Sequence, residues 1–173
     1  MLEGRGFGTG DGRYGRLSGF FGSLRLINFA IGVASGIIQE FQFGMNWAVF
    51  SRFVGDIFGA PLAMEGLFAF FLESTFLGLW VFGRGRLPRA VHLASIWLFV
   101  LGTWLSAYFI LAANSFMQNP VGFTLDPVSG DAVLTSLGEV FFQPLTVWAW
   151  LHRIGGGIIA ATVFVFVVGP YHL

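Results

Sequence analysis

Apolar residues fall in four long blocks separated by shorter polar or glycine-rich stretches, and each block comes near the roughly 20 residues that a membrane-spanning helix needs. The first runs over about 26–43, with Glu40 near its far end. The second, 57–83, opens with Pro61, where a first-turn proline is tolerated, and carries Glu65 and Glu73. The third, 90–117, has no formal charge, and the fourth, about 143–168, holds His152 and Arg153 one to two turns inside. The expected fold class is therefore all-α: a polytopic membrane protein with a four-transmembrane-helix segment. Residues 1–25 (MLEGRGFGTGDGRYGRLSGFFGSLR) are rich in Gly and Arg and lack the apolar run of a signal peptide. They are expected to form a flexible cytoplasmic lead to a transmembrane domain over 26–173.

Composition sharpens that picture. Hydrophobic residues make up 55% of the chain and charged ones 10%, against about 25% charged in soluble domains. Such a chain cannot cover a compact globule with polar groups, which excludes a soluble enzyme. A net charge of zero leaves no field to attract a polyanion, so no nucleic acid is expected as a partner. Absence of Cys excludes disulfides, zinc–thiolate sites and iron–sulfur clusters. Any metal must be held by His, Glu, Asp or Met, or arrive with a cofactor. Arg5, Arg13, Arg16 and Arg25 precede the first block, and Arg84, Arg86 and Arg89 fill the turn between the second and third. Arginine prefers the cytoplasmic side, which orients both of those segments inward and the 44–56 and 118–142 loops outward.

An ionisable group inside hydrocarbon is costly enough to be a functional candidate by default. Glu40, Glu65, Glu73 and the His152–Arg153 pair qualify. On a regular α-helix the eight residues between Glu65 and Glu73 amount to about 12 Å along the axis and roughly 80° around it. The two carboxylates are thus expected on neighbouring faces at different depths, which suits a metal or cofactor ligand fed by a proton-relay group. The plainer alternative is that each is hydrogen-bonded to a neighbouring helix. Ser74 and Ser106 could extend a proton path or could bond back to their own helices. His152, followed by Gly155–Gly156–Gly157, suits a haem ligand with room for the macrocycle beside it, or else a packed or interfacial histidine. His92 and His172 are expected at the membrane interfaces. Dense small residues allow close helix packing as readily as a flat cofactor.

The blocks EFQFGMNW (40–47), VGDIFGAPLAMEG (54–66), FFLESTF (70–76) and AANSFMQNP (112–120), long and in order, resemble subunit I of cytochrome bd quinol oxidase over about 26–168. The resemblance implies a terminal respiratory oxidase of the bacterial cell (inner) membrane that oxidises quinol and reduces dioxygen to water together with a second subunit. It implies a low-spin haem b, a high-spin haem b and a haem d. By motif, His152 corresponds to the ligand of the low-spin haem b and Glu65 to the carboxylate at the high-spin haem and haem d site. Glu73, Ser74 and Ser106 correspond to the proton path, and Glu40 to a glutamate of unassigned role.

The family's subunit is more than twice as long, with about nine helices. The resemblance therefore implies that this chain is an internal segment of a larger helical bundle, spans two to five, which is expected to be inactive in isolation. Two other functions fit the residues without the resemblance: a proton-conducting membrane protein without haem, and a non-catalytic membrane remnant.

Overall fold

The computed structural model describes residues 2–172, and the side chains of all of these except 7 and 170–172. His172 therefore lies outside the described side chains. The order is α1 (Leu2–Thr9), α2 (Gly12–Gly44), α3 (Ala48–Phe53), α4 (Gly55–Met64), a π-helical turn (Glu65–Phe70), α5 (Phe71–Phe82), α6 (Arg89–Gln118), β1 (Phe123–Leu125), β2 (Ala132–Leu134), α7 (Leu137–Phe142) and α8 (Pro144–His172). Four of these segments, Gly12–Gly44, Gly55–Phe82, Arg89–Gln118 and Pro144–Gly169, are long and apolar enough to cross a membrane. The chain divides into two compact units, residues 1–53 with 75–98, and residues 54–74 with 99–173.

In the first unit, helix occupies the Gly/Arg-rich stretch that the sequence suggests is a flexible lead. The Asp11 carboxylate accepts the Arg13 N–H and caps α2, which therefore starts at Gly12 rather than near Leu26. Helix α1 brings Glu3 to Trp80, whose indole N–H donates to Glu3 Oε2 at 2.8 Å. The Arg84 guanidinium lies 3.4 Å from Glu3 Oε1 and 5.2 Å from the centre of the Trp80 ring. His92 is half-buried here, its Nε2 donating to the Trp80 carbonyl at 2.8 Å and its Nδ1 lying 3.6 Å from Glu3. It is a packed, hydrogen-bonded histidine within this unit.

The second unit is built on Ala69, Phe109, Ala112 and Phe141, with Met64, Leu105, Tyr108 and Leu137 packed around them. Pro61, expected in an opening turn, sits in the second turn of α4 because that helix begins at Gly55. A proline there removes one ladder hydrogen bond, and the irregular stretch that follows takes the form of the π turn, with the Glu65 N–H shared between the Pro61 and Leu62 carbonyls. The helices pack closely at Gly102. A Cβ there would come within 3.0 Å of the Glu73 nitrogen and 3.1 Å of its Cα, both backbone atoms that cannot swing aside. Gly102→Ala is accordingly expected to destabilise the fold by about 1–3 kcal/mol through overpacking. A thermal midpoint equal to that of the parent protein would contradict this close approach.

The 118–142 connection is more ordered than a loop. Strands β1 and β2 pair antiparallel with Phe123 opposite Leu134, flanked by Gly122 and Gly130 at φ +70 and +75. Asp56 pins this hairpin, its carboxylate accepting the Leu134 N–H at 2.8 Å. At the tip, Asp126 accepts the Val128 N–H at 3.1 Å and the Ser129 hydroxyl at 2.8 Å. These bonds, the one from Val128 foremost, hold the Asp126 carboxyl below the usual aspartate range. A depressed folded-state pKa means the turn's support is complete above the unfolded value of about 3.9 and is lost as pH falls through the folded one. Amide protection at Val128 and Ser129 is thus expected to fall only once the pH drops below about 3.9. Protection that stays constant down to pH 2 would show the carboxylate to be irrelevant to the turn.

Candidate functional site

The five residues to which the resemblance gives a role (Glu65, Glu73, Ser74, Ser106 and His152) belong to the second unit, whereas Glu40 belongs to the first. Glu65 opens the π turn and is half-buried, with its Oε1 accepting the Ser106 hydroxyl at 2.8 Å. Its second oxygen has no partner among the described residues. Glu73 is buried, 9% exposed, and its Oε1 accepts the Thr103 hydroxyl at 2.9 Å. Thr103 and Ser106 are three residues apart and share a face of α6. Both carboxylates therefore address that one face, which differs from the neighbouring faces expected of a regular helix.

The π turn is the cause. One π turn takes in a residue more than an α turn, so eight residues here rotate about as far as seven do in an α-helix. Seven residues give roughly 700°, within about 20° of two full turns. Glu65 and Glu73 thus line up along one side of the helix, at different depths.

The serines part company. Ser106 pairs with Glu65 rather than with Glu73, and the Ser74 hydroxyl donates to the Phe71 carbonyl of its own helix at 3.2 Å. Thr103, on Glu73, is the residue that sequence reasoning missed. Its signal was available in GTWLS (102–106), where a small residue and two hydroxyls fall on one side of a helix otherwise lined by large apolar groups.

His152 is not brought together with the carboxylates. It lies on α8 with its side chain exposed, and none of the described groups hydrogen-bonds to it. Two residues earlier, the Trp150 indole N–H donates to the Trp104 carbonyl at 2.9 Å and the ring meets Tyr108 edge-on at 5.8 Å. This contact anchors α8 on α6 two residues before His152. One turn further on, Gly155 and Gly156 share its face, and a Cβ at either would meet nothing within 4 Å. An open imidazole beside an uncrowded helix surface leaves room for a flat cofactor that this histidine would hold. Glu40, on α2, is exposed within its unit. No three His, Cys, Asp or Glu side chains converge on a point among the described residues.

A family model described as cytochrome bd terminal oxidase subunit I matches residues 1–173. The chain belongs to that family. The match takes in residues 1–25 as well as the blocks that carried the resemblance. Cytochrome bd ubiquinol oxidase subunit 1 of Bacillus subtilis (strain 168) is 49% identical over 160 residues, covering 92% of this chain and 34% of that protein. Cytochrome bd-II ubiquinol oxidase subunit 1 of Escherichia coli (strain K12) is 46% identical over 165 residues, 95% of this chain and 32% of that protein. A solved structure titled as bd oxidase from Geobacillus thermodenitrificans superimposes with a TM-score of 0.76 at 30% identity, covering 84% of this chain and 33% of that one. The chain thus spans about a third of the length of these relatives. As in the rest of this cytochrome family, its setting is the bacterial membrane, and haem is the family's cofactor.

Proposed function

We propose that the chain forms part of a terminal respiratory oxidase that, with a second subunit, oxidises quinol and reduces dioxygen to water. The observation that carries this is the match of the whole chain to the family, with relatives at 49% and 46% identity both named as ubiquinol oxidases. Low-spin and high-spin haem b and haem d, when bound, supply the electron transfer and oxygen chemistry. His152 would hold the low-spin haem b through its open imidazole, with Gly155 and Gly156 leaving space for the ring. Glu65 would serve the high-spin haem and haem d site with its unpaired carboxylate oxygen, while Ser106 fixes the other oxygen. Glu73 would hold and release protons, with Ser74 within a turn of it on the same path.

The distribution of arginines supports an orientation with His152 and Glu65 toward the outer face and Glu73 deeper, nearer the cytoplasmic supply of protons. The test is quinol-driven oxygen uptake by membranes carrying the assembled protein, together with a reduced-minus-oxidised haem spectrum. Uptake with haem bands is the expected result. Membranes that show no haem bands but a proton leak abolished by Glu73→Gln would instead identify a haem-free proton conductor. Neither signal would leave a non-catalytic membrane segment.

A further inference from the structure

Thr103 Oγ1 stands 2.9 Å from Glu73 Oε1 and, at the same time, 3.1 Å from the Phe99 carbonyl oxygen one turn back on its own helix. A hydroxyl has a single proton to donate, and a carbonyl can only accept. With Thr103 as donor to both, the one proton is shared in a weaker three-centre bond; each contact is a full hydrogen bond when the Glu73 carboxyl carries a proton and gives it to Oγ1 while Thr103 donates to Phe99. When Glu73 is ionised, the Thr103 proton turns to the carboxylate, and the Phe99 carbonyl keeps its place in the α6 backbone ladder. Only the hydroxyl hydrogen has to rotate. Threonine suits this task because its Oγ1 bonds readily to the carbonyl three or four residues back in a helix.

We infer that Thr103 is a positioning residue for the proton of Glu73, its hydroxyl alternating between the Glu73 carboxyl and the Phe99 carbonyl so that both protonation states are hydrogen-bonded. The inference rests on the reading of Glu73 as a proton carrier. Two neighbouring features support it. Gly102, next in sequence, lets the Glu73 backbone press against α6, which holds the 2.9 Å contact in place within a buried site. Ser106, one turn further along the same face, has Glu65 as its one acceptor among the described residues and is a fixed donor by comparison. No covalent bond of Thr103 changes as Glu73 gives up its proton. The hydroxyl offers the buried carboxyl a hydrogen bond at either end of the transfer.

The experiment compares Thr103→Val, which keeps the size and removes the hydroxyl, with Thr103→Ser, in the membrane-assembled protein. Loss of a buried hydrogen bond to a charged group corresponds to a fall in turnover of about tenfold or more. The Val variant is expected to show that fall in quinol-driven oxygen uptake with unchanged haem content. It is also expected to shift the infrared carboxyl C=O band that Glu73→Gln removes, and Ser is expected to restore both readouts. In the Glu73→Gln background, Thr103→Val should add less than about twofold. Should Val prevent assembly, Thr103→Ala supports the same comparison. A Val or Ala variant with an unshifted band and turnover within about twofold of the parent, beside an impaired Glu73→Gln, overturns the inference and spares the role of Glu73. So does failure of Ser to rescue. Full turnover in Glu73→Gln overturns the proton-carrier reading itself, and the inference with it.

Discussion

His152→Ala is expected to abolish the low-spin haem bands of the assembled protein and to lower quinol-driven oxygen uptake by about 100-fold or more. Loss of outer partners of a metal ligand already costs 10–100-fold, and removal of the ligand itself costs at least as much. The imidazole is exposed and lines no packed core, so truncating it should change fold stability by no more than about 0.5 kcal/mol. The variant therefore separates ligation from structure. Helix α8 keeps its anchor through Trp150, so the surface beside residue 152 stays where it is. Intact low-spin bands in a well-folded His152→Ala protein would remove this histidine from the haem site and return it to the interfacial role that its exposure also permits.

Glu65→Gln is expected to reduce oxygen turnover by about 100-fold or more while leaving the low-spin haem bands in place, and to alter the high-spin bands. Gln has the same length and keeps an oxygen for Ser106 to donate to at the 2.8 Å contact, so packing and that hydrogen bond survive. What disappears is the negative charge on the second oxygen. A change confined to the high-spin bands would tie that charge to the high-spin site, whereas unaltered bands and turnover would reduce Glu65 to a helix-packing carboxylate bonded to α6.

Much of the fold is legible in the sequence for a simple reason. A bilayer demands about 20 apolar residues per crossing, and few other structures use such runs. The four long helices follow from that demand alone, and it marks out Glu40, Glu65 and Glu73 as acids within them. The N-terminal helix is less visible, because ten glycines among the first 36 residues of the chain argue against helix and only the Asp11 cap marks the start. The hairpin between α6 and α8 has strands of three residues each, too short for an alternating pattern to register, although Asp126-Pro127 and Gly130 announce its turn. The pairing of hydroxyls with carboxylates was the hardest part to see. Ser106 stood out in the sequence and Thr103 did not, yet each meets one glutamate, and which meets which depends on the rotation of the helix that carries the acids.

That rotation has a consequence for comparing relatives. Carboxylates eight residues apart across a π turn are geometrically equivalent to carboxylates seven apart on an unbroken α-helix. A relative that has lost one residue between positions 65 and 73 could thus keep both acids on the same face, while a substitution-by-substitution comparison would register a gap at the heart of the site. Conversely, deleting one residue from this chain and restoring a regular helix would leave the lining unchanged, whereas forcing the existing eight into α geometry would turn Glu73 by about 100° away from Thr103. What is inherited at this position is a phase relation between two acids, and the residue count is only one of the ways to write it.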